Sequence, residues 1–210
     1  MPNASSRVIQ PAGNYYDKYH TRNPIARWLM GGFLKSFESL VDTRTDCRDA
    51  LEVGCGEGEL SMRLARRGMA VEGFDIAEDA VLEARRRADA AGLSIPFSVG
   101  SALELDPATQ AADLVVCCEV LEHIEEPEEV LRLLAATARK SLLVSVPREP
   151  VWRVMNLARG RYLADGGNTP GHIQHWSRRR FISFLSKHVD VVAVASPLPW
   201  TMALCTPKRA

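Results

Sequence analysis

Short apolar segments that alternate with helical patterns occupy the middle of the chain. The strand patterns are apolar runs without helical spacing, and they cover residues 49–53, 71–76, 96–100, 113–120 and 141–146. The helical patterns between them cover residues 60–67, 78–91 and 127–138. Strands that are joined by helices pair in parallel and are covered on both faces. The predicted fold class is therefore α/β, with a doubly wound, mostly parallel sheet.

The two ends of the chain add elements of a different kind. A helix is predicted at 24–41, where large apolar residues recur at helical spacing, namely Trp28, Leu29, Phe33, Phe37 and Leu40. Near the C-terminus, a helix at 177–187 precedes apolar runs at 189–195 and 201–206, which a turn with two prolines separates. We expect these runs to form an antiparallel hairpin that completes a seven-stranded sheet.

Composition argues against several classes of protein. The 210 residues suit one domain, and 26 basic residues balance 26 acidic ones. General nucleic-acid binders usually carry a basic excess, so this balance disfavours them. No apolar run reaches the roughly 20 residues of a membrane span, and residues 1–10 lack the apolar stretch of a secretory signal. We therefore expect a cytoplasmic protein, whose five cysteines are reduced.

A glycine-rich turn follows the first predicted strand. Gly54, Gly56 and Gly58 lie between this strand and the next helix, and glycine lets a ligand approach the backbone closely. Asp75 ends the second strand, 21 residues after Gly54. In open α/β sheets ligands bind at the carboxyl ends of the strands, and an acid at this position can accept both hydroxyls of a ribose. The sequence therefore predicts a ligand that contains a nucleoside.

The order of the glycines distinguishes two kinds of nucleoside site. A dinucleotide site reads G-x-G-x-x-G and would require glycine at position 59, where the chain has Glu59. The pattern E-x-G-x-G-x-G over residues 52–58 instead resembles motif I of the class I methyltransferases. The resemblance continues through Asp75 and residues 113–123, and it covers about residues 48–147. The family's fold also ends in an antiparallel hairpin.

This resemblance implies that the cofactor is S-adenosylmethionine. It implies a cofactor site made of the glycine turn, the ribose-binding acid, the turn after the third strand and the first acid after the fourth, namely Glu52, Gly54, Cys55, Gly56, Gly58, Asp75, Ile76, Ser101, Ala102 and Glu119. One position departs from the family, since Ser101 stands where an aspartate that holds the adenine amino group is common. A backbone amide and the Ser101 hydroxyl would make that contact here.

Carboxylates and imidazoles follow the fourth strand and precede Trp176. The arrangement resembles two metal-dependent groups within the family, the O-methyltransferases of ubiquinone biosynthesis and the small-RNA terminal 2′-O-methyltransferases. The resemblance implies a divalent ion, Mg²⁺ or Mn²⁺, held by Glu119, Glu122, His123 and His172. Such an ion would lower the pKa of the acceptor hydroxyl and orient it.

A reaction without metal is the open alternative. The catalytic candidates His123, His172 and His175 would then supply the general base, because histidine titrates near neutral pH. The segment Glu119–His123 also occurs in class I methyltransferases that need no metal. There the first carboxylate orients the cofactor and the other residues begin a helix.

We expect residues 1–210 to form one domain with four parts. These are a helical lid at 1–45, a cofactor-binding core at 46–147, a substrate-recognition segment at 148–180, and a terminal helix and hairpin at 181–210. The lid carries Tyr15, Tyr16, Tyr19 and His20. The segment 148–180 lacks a regular period and contains seven arginines, so it suits a small acceptor that is anionic or aromatic.

The expected function is methyl transfer from S-adenosylmethionine to a hydroxyl oxygen of a small or lipid-like molecule. Nitrogen and carbon acceptors are alternatives, because enzymes for them share the same motifs. The basic segment 148–180 favours the terminal 2′-hydroxyl of RNA, and the net charge of zero disfavours it. Glu59 argues against a nicotinamide-dependent oxidoreductase, and the intact glycines and Asp75 argue against a binding module with a degenerate pocket.

Overall fold

The computed structural model describes residues 23–208, where strands and helices alternate as predicted. The strands are β1 (Asp49–Val53), β2 (Ala70–Asp75), β3 (Phe97–Val99), β4 (Ala112–Cys118), β5 (Ala138–Pro147), β6 (Val189–Ala195) and β7 (Trp200–Pro207). The helices are α1 (Pro24–Val41), α2 (Glu59–Ala65), α3 (Glu78–Ala90), α4 (Pro127–Thr137), α5 (Val151–Ala158) and α6 (Arg178–Leu185). Single 3₁₀ turns follow β3 at Ala102–Glu104 and β4 at Leu121–His123.

The sheet has the strand order β3-β2-β1-β4-β5-β7-β6. β1 to β5 pair in parallel, so their carboxyl ends share one edge of the sheet, which we call the carboxyl edge. The direction of winding reverses between β1 and β4, and a crevice opens at the carboxyl ends of two such strands. The predicted α/β fold class is confirmed, and its topology puts a ligand crevice beside the glycine turn.

The predicted C-terminal hairpin is also confirmed. β7 pairs antiparallel with both β5 and β6. The register runs from Leu142 paired with Cys205, in the middle of β5, to Pro147 paired with Trp200, at its end. Because the two strands run in opposite directions, the first residue of β7 lies beside the last residue of β5. Trp200 therefore reaches the carboxyl edge.

Apolar side chains cover both faces of the sheet. In β4, Leu114 and Val116 face the core that α1, α2 and α3 close, and Val115 and Cys117 face the core under α4 and α6. All four are fully buried. Successive residues of a strand point to opposite faces, so a strand covered on both sides must be apolar at every position. All five cysteines are buried and none forms a disulfide.

The structure corrects the sequence analysis at two places. Residues 151–158 were expected to be irregular, but they form α5. This helix has only eight residues and lies between Pro150 and Gly160, which are typical of turns. Trp28 was expected on the apolar face of α1, yet it is 69% exposed, whereas Phe33 and Phe37 are buried.

Some expectations concern residues that the structure does not describe. The aromatic part of the lid lies outside the described residues, namely Tyr15, Tyr16, Tyr19 and His20. The division of one domain into four parts stays a prediction. Between residues 23 and 208, no helix combines the length and the apolar character of a membrane span.

At the opposite edge, ion pairs join the amino ends of β1, β4 and β5. Asp113 accepts hydrogen bonds from the backbone N–H of Arg48 at 3.0 Å and from the Lys140 ammonium at 2.9 Å. The Arg139 guanidinium pairs with both Asp113 and Asp49. Burial by itself would raise the pKa of Asp113, but these donors outweigh burial and lower the pKa to about 2.

Asp113→Asn is expected to lower the free energy of unfolding at neutral pH by about 1–2 kcal/mol, because two cations lose their charged acceptor. A carboxylate with a lowered folded-state pKa stabilises the fold above its unfolded pKa, and it loses that contribution as pH falls through the folded value. The difference from wild type should therefore shrink between about pH 4 and about pH 2. Urea unfolding across this range measures it, with exposed Asp190→Asn as the control. A difference that is constant with pH would contradict the assignment.

Candidate active site

The three glycines after β1 serve different purposes in the turn. All three have positive φ angles, 75° at Gly54, 51° at Gly56 and 78° at Gly58. A Cβ at Gly54 would collide with the Val120 side chain, and a Cβ at Gly58 would lie 2.8 Å from a ring carbon of Phe97. A Cβ at Gly56 would meet nothing within 4 Å. Gly54 and Gly58 are therefore required by packing, and the open space at Gly56 is where a ligand can approach the backbone.

Asp75 lies at the end of β2 and faces this turn. One carboxylate oxygen accepts the Gly56 N–H at 2.8 Å, and the other accepts the Ala77 N–H at 2.9 Å. A carboxylate has about four acceptor positions, so two hydroxyls of a ribose can still bind to it. Ile76, the next residue, is 39% exposed and offers an apolar surface beside the carboxylate.

Glu52 and Cys55 lie inside the fold. The Glu52 carboxylate is 3% exposed and accepts hydrogen bonds from the N–H and the hydroxyl of Ser61. Burial raises the pKa of Glu52 to about 8, against the opposing effect of these donors. Cys55 is 5% exposed, and its N–H donates to the Phe74 carbonyl. Both side chains are therefore turned into the fold beside α2 and β2, and the assignment of Glu52 and Cys55 to the cofactor site stays a prediction.

Ser101 and Ala102 lie after β3 at the same edge, and both are half-buried. The Ser101 hydroxyl accepts the Leu103 N–H at 3.2 Å and so caps the 3₁₀ turn. As a donor, this hydroxyl remains able to bind one further acceptor. Leu103 is 36% exposed beside it.

Glu119 follows β4 in a left-handed conformation with φ of 61°. Such a backbone costs a non-glycine residue about 1–3 kcal/mol. Its carboxylate accepts the Trp200 indole N–H at 2.6 Å and the Ser145 hydroxyl at 2.9 Å. Both donors are neutral, and their hydrogen bonds hold the carboxylate at the crevice between β1 and β4. Trp200 and Ser145 were not among the predicted site residues, and a polar residue in the apolar fifth strand was the only signal of Ser145.

Three of the four predicted metal ligands lie together. Glu122, His123 and His172 each offer a ligand atom, and these atoms lie within 4.8 Å of one another. We call these residues the histidine cluster. Glu119 does not belong to the cluster. Its oxygens accept hydrogen bonds from Ser145 and Trp200, and its role as a fourth ligand stays a prediction.

The tautomer of His123 follows from its contact. Its Nδ1 lies 2.8 Å from the Gly171 carbonyl oxygen, and a carbonyl can only accept. Nδ1 therefore carries the hydrogen, and Nε2 carries the lone pair when the ring is neutral. Histidine ligands of metal ions commonly have this arrangement, in which the second nitrogen donates to a backbone carbonyl.

Aromatic rings connect the histidine cluster to Glu119. Trp152 on α5 stacks on His172 with 5.7 Å between ring centroids. The centroids of the Trp152 and Trp200 rings are 5.8 Å apart. Its indole N–H donates to the Thr169 hydroxyl at 2.8 Å. The helix that the sequence analysis missed thus supplies the ring between the histidine cluster and the residue that holds Glu119.

His175 has a different environment from the other two predicted catalytic histidines. An isolated bridge pairs Arg148, just after β5, with Trp176, and the Glu149 N–H donates to the Trp176 carbonyl. This pairing brings His175 to the carboxyl edge, where its Nδ1 lies 3.7 Å from a Glu149 carboxylate oxygen. The edge therefore carries two acid–imidazole groups, and either could move a proton.

Relatives support a family assignment for the core. A family model described as a methyltransferase domain matches residues 50–141. Two curated relatives are named ubiquinone biosynthesis O-methyltransferase. The Azoarcus sp. (strain BH72) protein is 39% identical over 94 residues, 44% of this chain and 40% of the relative. The Aeromonas salmonicida (strain A449) protein is 30% identical over 150 residues, 65% of this chain and 63% of the relative. The chain thus spans less than two thirds of either relative.

Solved structures share the fold. The magnesium protoporphyrin IX methyltransferase of Synechocystis PCC 6803, solved with bound SAH, superimposes with a TM-score of 0.70 over 90% of each chain. It is 21% identical, so this likeness establishes the fold alone. Residues 50–141 thus match a methyltransferase domain, and the glycine turn and the strand order with its antiparallel hairpin agree with that match.

Proposed function

We propose that the protein transfers the methyl group of S-adenosylmethionine to a hydroxyl oxygen of a small or lipid-like molecule. One observation carries the proposal: the open glycine turn at Gly56, the Asp75 carboxylate and the fixed Glu119 carboxylate lie at the carboxyl ends of β1, β2 and β4, respectively. This arrangement suits a ligand with a ribose at one end and a positive charge at the other.

Each end of the cofactor would have its own contacts. The backbone at Gly56 would lie against the cofactor, Asp75 would accept the ribose hydroxyls, and Ile76 would pack on the adenine. Ser101 and Ala102 would bind the adenine edge through the Ser101 hydroxyl and a backbone amide. Glu119 would hold the methionine end, because its carboxylate attracts the positive charges of the ammonium and sulfonium groups.

The acceptor would enter beside segment 148–180. Trp152 and Trp176 supply apolar surface there, and Trp152 is half-exposed. An aromatic hydroxyl compound fits this surface, since offset stacking of rings is favourable. The two relatives named ubiquinone biosynthesis O-methyltransferase also support an acceptor of this kind.

A second candidate acceptor is the terminal 2′-hydroxyl of RNA. Arg178, Arg179 and Arg180 are exposed at the first turn of α6, and no ion pair among residues 23–208 involves them. Exposed guanidinium groups without partners are suited to phosphate. The net charge of zero and the aromatic surface favour the small acceptor.

The histidine cluster fits a divalent ion. It offers two imidazoles and one carboxylate, a set that suits Mn²⁺, Fe²⁺ or Zn²⁺ better than Mg²⁺, which prefers oxygen ligands. The Nδ1 contact of His123 with the Gly171 carbonyl matches the usual support of a histidine ligand. When bound, the ion would lower the pKa of the acceptor hydroxyl and orient its oxygen. We propose Glu122, His123 and His172 as the residues that would hold it.

Methyl transfer is tested with S-adenosylmethionine and a panel of acceptors, namely catechol, 3,4-dihydroxybenzoate, a monophenol, a primary amine and a short RNA. We expect methyl ethers of the diphenols, detected by mass spectrometry, and no product from the amine. Product from the RNA alone, with a rate that falls steeply with salt, would favour the second candidate. No transfer to any acceptor would contradict the proposed activity.

Asp75→Asn is expected to weaken binding of S-adenosylhomocysteine about tenfold or more, because a charged acceptor of two ribose hydroxyls is replaced by a neutral amide. Calorimetric titration measures the affinity. Asp79→Asn is the matched control, since Asp79 is exposed on α3 four residues away. Equal affinities of the Asp75 variant and wild type would show that the ribose binds elsewhere.

Mn²⁺ titrated into chelator-stripped protein saturated with S-adenosylhomocysteine should bind once per chain. His172→Ala should weaken this binding by about 100-fold or abolish it, because one of the proposed ligands is lost. His188→Gln is the control, since His188 pairs with Glu128 on the surface. If wild type binds no Mn²⁺, the proposed ion site is wrong, and the histidine cluster serves in proton transfer or in packing.

A further inference from the structure

The Glu149 carboxylate is buried without a full set of hydrogen bonds. Its side chain is 11% exposed. One oxygen accepts the Arg153 N–H at 3.4 Å, and the other has no hydrogen-bond donor among the described residues. A buried acceptor without a donor costs about 1–3 kcal/mol, so its position calls for an explanation.

The imidazole of His175 lies close to that second oxygen. Its Nδ1 lies 3.7 Å away, and 36% of the His175 side chain is exposed. The carboxylate is thus buried, whereas more than a third of the imidazole side chain is exposed. A carboxylate in this position favours a hydrogen on Nδ1, which leaves the lone pair on Nε2.

The position of this pair points to the reacting hydroxyl. Glu149 lies two residues beyond the end of β5, and Pro147 at that end pairs with Trp200, whose indole binds Glu119. His175 is therefore held at the same edge as Glu119. His172 is only 7% exposed in the histidine cluster, so His175 is the more accessible of these two imidazoles.

On the basis of the proposed function, we propose that His175 is the general base of the methyl transfer and that Glu149 is its positioning residue. Nε2 of His175 takes the hydroxyl proton while the acceptor oxygen bonds to the methyl carbon. The carbon–sulfur bond breaks, and its electron pair stays on sulfur, which becomes the thioether of S-adenosylhomocysteine. The imidazolium then returns its proton to water, with Glu149 stabilising the positive charge meanwhile.

Other charged groups also surround the pair. Arg148 precedes Glu149, and Arg153 on α5 faces its carboxylate. Desolvation raises the pKa of Glu149, and the Arg153 N–H and the positive charges of His175 and Arg153 oppose that rise. When His175 gains a proton, its positive charge would stabilise the negative charge of the buried Glu149 carboxylate. The pair therefore suits a step in which the ring gains a proton.

The kinetic test uses His175→Gln, Glu149→Gln and the double variant with the best diphenol of the acceptor panel. Glutamine at 149 keeps an oxygen for the Arg153 N–H and removes only the charge. We expect kcat to fall about 100-fold in His175→Gln and about tenfold in Glu149→Gln, with KM for S-adenosylmethionine unchanged. The double variant should be no slower than His175→Gln, because the two residues act as one unit.

Glu128→Gln is the matched control. Glu128 also pairs with a histidine, His188, at 3.0 Å, but this pair lies on the surface between α4 and the end of α6. The kcat of Glu128→Gln should equal that of wild type. The acidic limb of the kcat profile should move to lower pH in Glu149→Gln only, since loss of a negative charge disfavours the imidazolium. A purely structural role of Glu149 would lower kcat without this movement.

A second measurement does not require turnover. The Cε1–Hε1 signals of the histidines are followed by NMR against pH, and the His175 signal is assigned by its loss in His175→Gln. Glu149→Gln should move the His175 titration to lower pH, and Glu128→Gln should leave it in place. An unchanged titration or an unchanged kcat in Glu149→Gln overturns the pairing. If wild type binds S-adenosylhomocysteine but methylates nothing, the proposed function fails, while the NMR result still decides whether Glu149 and His175 interact.

Discussion

The hydrogen bond from the Trp200 indole to the Glu119 carboxylate joins two distant parts of the chain at the carboxyl edge. Glu119 ends the fourth strand and Trp200 begins the seventh, so the bond requires the antiparallel pairing of β7 with β5. Phe33 of α1 packs edge-on against the Trp200 ring at 5.1 Å. One carboxylate is thus fixed by a helix and three strands. The left-handed backbone of Glu119 is stable because two hydrogen bonds, each contributing about 0.5–1.5 kcal/mol, hold its side chain in place.

The parallel part of the sheet and the cofactor crevice could be predicted from sequence because their signals are local. Apolar runs mark strands that are covered on both faces, and a glycine turn before a helix marks the crevice. The contact between Glu119 and Trp200 spans 81 positions, and it depends on strand register, which periodicity does not determine. The burial of Glu52 and Cys55 could not be predicted for a related reason, since a motif gives residue types and not the side of the backbone on which each side chain lies.

The histidines illustrate what the topology adds to a motif. His123 and His172 meet in one cluster because the loop after α5 returns to the 3₁₀ turn after β4, where Ile173 donates a backbone hydrogen bond to the Glu122 carbonyl. His175 lies only three positions later, but the bridge between Arg148 and Trp176 brings it to a different carboxylate. A short stretch of sequence thus supplies two chemically separate groups, and only the fold distinguishes them.

The burial of all five cysteines protects the folded molecule from thiol reagents. Burial raises the pKa of the Cys205 thiol to about 12 and moves the pKa of the other four thiols upward as well. Alkylating reagents react with thiolates that they can reach, and the native fold offers none among these five. Labelling of the unmodified protein by a maleimide would therefore report how often the core opens. Conversely, Trp28→Cys on the exposed side of α1 would supply a single attachment point for a probe without removal of the native cysteines.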